Sequence, residues 1–184
     1  MFLLIGLGNP GKQYSTTRHN LGFMVTDRLA ERLDTDWEDN SKLAARLAFA
    51  EHGGQKIILC QPQTFMNESG IAAKAVAKFY KIPIKNIIVV YDDIALELGR
   101  IKTAINFSSG GHNGIKSLVQ HLGSPDFIRV RLGIGPQKGV AEKFVLDRFS
   151  VSESKKLDEI IDRASDCLTA IVTDGVAKAA SQYN

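Results

Sequence analysis

The run Gly6-Leu7-Gly8-Asn9-Pro10-Gly11 directly follows the apolar stretch Phe2-Leu3-Leu4-Ile5. A continuous apolar segment stopped by glycine and proline reads as a buried strand ending in a turn. The glycines at 6, 8 and 11 also spell a dinucleotide-binding fingerprint. That fingerprint requires the turn to run straight into an amphipathic helix whose N-terminus faces a pyrophosphate. Here Pro10 lies inside the turn, and the polar segment Lys12–His19 follows it. Helical spacing begins only after Asn20, a residue type favoured at helix N-caps. The first strand therefore leads into a long polar loop carrying an amide and an imidazole, which suits a reaction site better than a cofactor cradle.

Further elements follow by periodicity. Leu21, Met24, Val25, Leu29 and Leu33 recur at helical spacing. Residues 43–52 and 55–61 read as two strands joined at Gly53-Gly54, a favoured hairpin dipeptide. Ser69–Lys81 predicts an alanine-rich helix ending before Pro83, and Ile87–Tyr91 a buried β-branched strand. Arg100–Ile105 predicts a more exposed strand, Asn113–Leu122 a helix stopped by Gly123, and Ile128–Ile134 another strand. The chain is helical from Ser152, with a break at Asp174-Gly175. Alternating strands and helices define an α/β class with a twisted, mixed sheet flanked by helices, the hairpin excluding an all-parallel one. A length of 184 residues suits a single domain over 1–184.

No apolar run approaches the roughly 20 residues needed to span a bilayer. Met1 leads into a strand with no signal-peptide pattern, and Cys60 and Cys167 are far apart. A cytoplasmic protein with two reduced thiols and no zinc site is expected. Net charge is only +3, but its distribution is uneven. Residues 1–98 balance to zero, residues 99–149 carry +5, and residues 150–184 carry −2. The basic third contains Arg100, Lys102, Lys116, Arg129, Arg131, Lys138, Lys143 and Arg148. Such an excess can draw a phosphate backbone, although from charge alone a solvated face is the simpler reading.

In open α/β sheets, ligands bind beyond the carboxyl ends of the strands. The unusual polar clusters fall there: Asn9 and His19 after strand one, Thr64–Asn67 after the hairpin, Asp92-Asp93 after Ile87–Tyr91, and Ser108–Asn113 before a helix. His19 is the candidate general base, since imidazole titrates near neutrality. Asp92 can orient it and stabilise its charge. No serine or cysteine occupies a nucleophile elbow, so water is the expected nucleophile. Asn9, Asn67 and Asn113 are amides able to hold a carbonyl and donate to an oxyanion. Each residue has a plainer reading: a structural histidine, a capped turn, helix-capping asparagines, core Phe65 and Met66, and a His112 bonded to backbone. Only convergence on one cleft would favour chemistry. Adjacent carboxylates and scattered histidines do not suggest a metal cage.

Together the segments IGLGNPGKQYSTTRHNLGF, QPQTFMNESG, VVYDDIALELG, SSGGHNGIKSL and RVRLGIG resemble the bacterial peptidyl-tRNA hydrolase family, in order and spacing, through TDGVAKA near the C-terminus. The resemblance implies a monomeric cytoplasmic esterase that cleaves a peptide from its tRNA, without metal or organic cofactor. It implies His19 as the water-activating base, Asp92 as its support, and Asn9, Asn67 and Asn113 as binders of the peptide and the tRNA 3′ end. Tyr14, Phe65 and Met66 would line the same groove, and Lys102 and Arg131 would meet tRNA phosphates. The chain departs from the family at Ala95, where a carboxylate is usual, and at Ala104, where a basic residue is common. Asn106-Phe107-Ser108-Ser109 stands where glycines are more usual. Two rivals remain at this point: an RNA-binding relative that has lost catalysis, and a dinucleotide-dependent enzyme using Asp34 or Asp36 for the ribose.

Overall fold

The computed structural model describes residues 1–137 and 139–184. Among these residues, seven strands form one mixed sheet: β1 (Phe2–Gly6), β2 (Glu38–Asn40), β3 (Ala45–His52), β4 (Gln55–Pro62), β5 (Ile87–Glu97), β6 (Ile101–Ile105) and β7 (Ile128–Gly135). Their order is β2-β3-β4-β1-β5-β7-β6. The pairs β1–β4, β1–β5 and β5–β7 are parallel, whereas β2–β3, β3–β4 and β6–β7 are antiparallel. A parallel centre with antiparallel margins is the mixed sheet that the hairpin implied.

The helices are α1 (Leu21–Arg32), α2 (Ser69–Phe79), α3 (Asn113–Leu122), α4 (Ala141–Leu146), α5 (Val151–Asp174) and α6 (Val176–Tyr183). Alternation along β1 sends Leu4 into a core with Val25 and Leu29 of α1 and Leu168 of α5. Leu3 and Ile5 enter a second core with Ala73 and Val76 of α2 and Leu118 of α3. Strands buried on both faces must be apolar at every position, which is why β1 and the first half of β5 show no polar alternation. The α1–α5 surface is laced by Arg28 to Asp158 and Asp162, and by Arg32 to Asp166.

Several details differ from the sequence reading. The short edge strand β2 and the six-residue α4 carried too little periodicity to be anticipated. The Ile87–Tyr91 strand runs on to Glu97, with a register irregularity after Asp93, so Asp92 lies within β5 and not beyond it. The break at Gly175 is real, with φ +87° between α5 and α6. Asn20 precedes α1 but caps nothing with its side chain.

The fingerprint glycines serve packing. A Cβ on Gly6 would lie 2.4 Å from the Gly22 carbonyl oxygen, and one on Gly22 would lie 2.5 Å from both Leu7 N and Val90 O. No helix follows Gly11, and α1 begins ten residues later. With α1 starting this late, no helix N-terminus opens at the glycine turn, which removes the structural basis of the dinucleotide reading. This contact seats the start of α1 on the β1–β5 seam. Helix propensity alone predicts that Gly22→Ala stabilises by about 1 kcal/mol. The backbone clash predicts a loss of roughly 1–3 kcal/mol. We expect the loss to win, seen as a lower urea midpoint at unchanged m-value.

Candidate active site

Asp92 is 1% exposed and accepts hydrogen bonds from two imidazoles. His19 Nδ1 lies 2.9 and 3.0 Å from its two carboxylate oxygens, and His112 Nε2 lies 3.1 Å from Oδ1. A buried carboxylate is tolerated only with such partners. His19 is presented by a 3-10 turn over Arg18–Asn20, leading out of the β1 loop. His112 caps α3: its Nδ1 accepts from Ile115 N at 3.3 Å. That bond puts a lone pair on His112 Nδ1, so the ring's proton sits on Nε2 and is donated to Asp92. His19 likewise donates from Nδ1, leaving Nε2 free, with no hydrogen-bond partner among the described residues. Burial disfavours the His19 imidazolium, but the Asp92 charge and hydrogen bond outweigh it and raise the pKa. For Asp92 burial works upward, yet the two histidines hold its carboxyl well below the usual range.

His19 and Asp92 face a cleft of about 310 Å³, also lined by Asn113, Lys116, Glu142 and Val145. Asn9 lines a separate cavity with Lys12 and Asn20 and is fixed by three bonds. Its Oδ1 accepts from Met66 N at 2.8 Å, while Asn20 brackets its backbone, accepting from Asn9 N at 2.9 Å and donating to Asn9 O at 3.0 Å. With its oxygen engaged, the Asn9 amide has its NH2 group to offer. Tyr14 and Phe65 meet edge to face at 6.5 Å between centroids. Phe65 is exposed, Met66 is buried, and Asn67 is exposed at the next position. A Cβ on Gly114 would lie 2.6 Å from Met66 Sδ and 3.1 Å from His112 Cε1. This ledge therefore abuts the histidine side of the cleft.

Lys102 and Arg131 are direct partners across β6 and β7, so their side chains share one face. Arg131 Nε donates to Asp93 at 2.7 Å, and the Phe107 ring covers its guanidinium at 4.3 Å. The basic third is less of a surface than its charge suggested. Arg129 is fully buried, bonded to Ser108 O and stacked on Phe127, so it belongs to the interior. Arg100, Lys116, Lys143 and Arg148 are exposed, and Lys138 lies outside the described residues.

Two residues of this centre escaped the sequence reading. His112 is bonded to Asp92 and not only to backbone. Asn20 positions Asn9 instead of capping α1. The scattered histidines also converge: ligand atoms of His19, Asp92 and His112 lie within 4.8 Å of one another, a spacing a metal ion can use. To hold one, both rings would have to surrender the protons they donate to Asp92, and His112 would still spend Nδ1 on Ile115 N–H. The donor set suits a proton-transfer centre better than a metal centre.

The model of the family described as peptidyl-tRNA hydrolase matches residues 3–184. A peptidyl-tRNA hydrolase of Caldanaerobacter subterraneus is 46% identical, with both chains covered completely. One from Gloeobacter violaceus is 42% identical, covering 99% of this chain and 93% of that protein. The crystal structure of peptidyl-tRNA hydrolase from Acinetobacter baumannii superposes with a TM-score of 0.93 at 33% identity, covering 100% of this chain and 94% of that one.

The opposing causes acting on His19 make a signed prediction. In Asp92→Asn the carboxylate's lift disappears while burial stays, so the His19 pKa should move from above 6.5 to below it. Titrating the ring protons by NMR checks this, and an unmoved midpoint would mean the two groups are not coupled.

Proposed function

The chain belongs to the peptidyl-tRNA hydrolase family, and from that premise we propose that His19 activates the water that cleaves its substrate ester. The reaction hydrolyses the bond between a peptide and the 3′ end of its tRNA. His19 Nε2 takes a proton from water while the oxygen adds to the ester carbonyl carbon. The resulting tetrahedral species collapses with cleavage of the bond to the ribose oxygen, which recovers the proton from His19. Asp92 keeps the imidazole in the tautomer with Nε2 free and stabilises the imidazolium between these steps. The observation that carries the reading is the buried His19–Asp92 pair with an unbonded Nε2 at a cleft.

Asn9 offers its NH2 to the carbonyl oxygen, where charge grows in the transition state. Asn113 lines the same cleft and binds the substrate backbone with Asn67. Tyr14, Phe65 and Met66 form an apolar and aromatic ledge for a peptide side chain or the terminal base. Lys102 and Arg131 meet tRNA phosphates. Two like charges directly opposite on a sheet are unfavourable without a counter-charge, and Asp93 supplies only one. An arriving phosphate completes the compensation. The protein works as a monomer in the cytoplasm, where its substrate is made, and needs neither metal nor organic cofactor. Among the described residues, no helix is long and apolar enough to cross a membrane.

Release of N-acetyl-amino acid from N-acetyl-aminoacyl-tRNA in the presence of a chelator tests the whole reading, with unblocked aminoacyl-tRNA as control. His19→Ala should lower kcat by about 10²–10⁴-fold, the range of a general base. Asp92→Asn should cost less. Because the base must be neutral, kcat/KM in the wild type should rise with pH through an apparent pKa above 6.5. Retained salt-sensitive tRNA binding with no hydrolysis would instead identify a silent RNA-binding relative. Replacing Arg131 with alanine should weaken tRNA binding and reduce the slope of log K against log salt by about 1 while sparing the chemical step.

A further inference from the structure

Arg18 precedes the base yet points away from it, into a setting unusual for a cation. It is buried, with its guanidinium 4.5 Å from the centroid of Phe144 and 5.3 Å from that of Phe149. Its terminal nitrogens donate to Arg148 O at 2.6 Å and to Glu153 Oε2 at 2.8 Å. Its backbone N–H donates to Asp147 O at 3.0 Å, and Thr17 forms an isolated antiparallel bridge with Arg148. All these partners lie between residues 144 and 153, over 120 residues away in sequence. That segment comprises the end of α4, the connection to α5 and the first turn of α5.

The same α4 supplies Ala141, Glu142 and Val145 to the wall of the cleft in which His19 sits. A helix of six residues is too short to hold itself. Among the described residues, its one fully packed side chain is Phe144, and Phe144 rests on Arg18. Glu153 is shared in turn: Oε2 accepts from Arg18 and from Ser150 N, closing the capping box of α5. We propose that Arg18 is a positioning residue for the hydrolysis, clasping the α4 wall of the cleft to the turn that carries His19. Arg18 touches neither substrate nor the reacting atoms. It sets the separation between the base and the opposite wall, against which the substrate is held. Planar geometry explains the residue type: stacking on two rings while bonding a carbonyl and a carboxylate needs a guanidinium and exceeds what an ammonium can do. The proposal rests on the hydrolase reading of the same cleft.

The test compares Arg18→Ala, Arg18→Lys, Glu153→Gln and Ser150→Ala with the wild type, using N-acetyl-aminoacyl-tRNA as substrate and amide hydrogen exchange without substrate. In Arg18→Ala, KM should rise roughly tenfold while kcat changes less than about threefold, the signature of lost uniform binding. Amides of 141–149 should exchange faster while those of 87–92 keep their protection. Arg18→Lys should recover part of the KM, and Glu153→Gln, which keeps an acceptor but loses the charge, should raise KM less than Arg18→Ala. Ser150→Ala should lower Tm with KM unchanged, since it removes the cap and leaves the clasp. Three results would each overturn the proposal: unchanged exchange in 141–149, a loss confined to kcat, or a Ser150→Ala variant that raises KM as much as Arg18→Ala. Should Arg18→Ala not fold, Glu153→Gln and Arg18→Lys carry the same comparison. A wild type without hydrolysis would sink the hydrolase reading, and the exchange data would still decide whether Arg18 holds the wall.

Discussion

A carboxylate sealed inside a protein must be answered by hydrogen-bond donors, and the functional end of this molecule is organised around answering Asp92. One donor arrives from the loop after β1 and the other from the start of α3. Each donor is itself fixed by backbone: His19 by the turn that opens α1, His112 by the Ile115 N–H it accepts. Three chain segments far apart in sequence are thereby brought to one point. The energetic logic is that of any buried charge, where losing one partner leaves the rest uncompensated. The same bonds that make Asp92 tolerable also turn the unbonded nitrogen of His19 toward the cleft.

This convergence depends on a close backbone approach. The start of α1 rests on the β1–β5 seam because neither Gly6 nor Gly22 carries a Cβ. Any larger residue would lift the helix and move the turn before it away from β5. Glycines that spell a phosphate loop thus serve to set a helix down beside a carboxylate. The motif's spelling is common to both uses, and only the position of the next helix separates them.

The legible part of the fold was the part governed by periodicity and turn chemistry. β1, α1, the hairpin, β5 and α3 are long or strongly patterned, and Gly53-Gly54 and Gly123 punctuate them. His19 and Asp92 were legible as a pair because chemistry demands both, and their location at strand ends narrowed the choice. What escaped depended on tertiary partners. Asn20 has the identity of an N-cap, but the Asn9 backbone competes for its side chain and wins. His112 was invisible as a partner of Asp92 because nothing local fixes which way its ring turns. Arg18 reads as a polar loop residue until Phe144 and Phe149 close over it. Arg129 reads as one more cation of the basic third, because sequence alone cannot distinguish a snorkelling arginine from one stacked in the core.

The burial of Arg129 has a consequence for long-range attraction. Exposed cations such as Arg100 and Lys116 gather mobile anions that a nucleic acid must displace, and added salt dulls their pull. No mobile ion can settle against a guanidinium sealed between Phe127 and the carbonyl of Ser108. Among the described residues it has no carboxylate partner either, so its field emerges through low-dielectric protein on the sheet face it shares with Arg131. Its charge therefore acts across a gap that no counterion can enter, although beyond the protein surface salt screens it like any other. A cation that cannot reach a phosphate cannot neutralise one directly, so Arg129 contributes to attraction at a distance and leaves the contacts to its exposed neighbours.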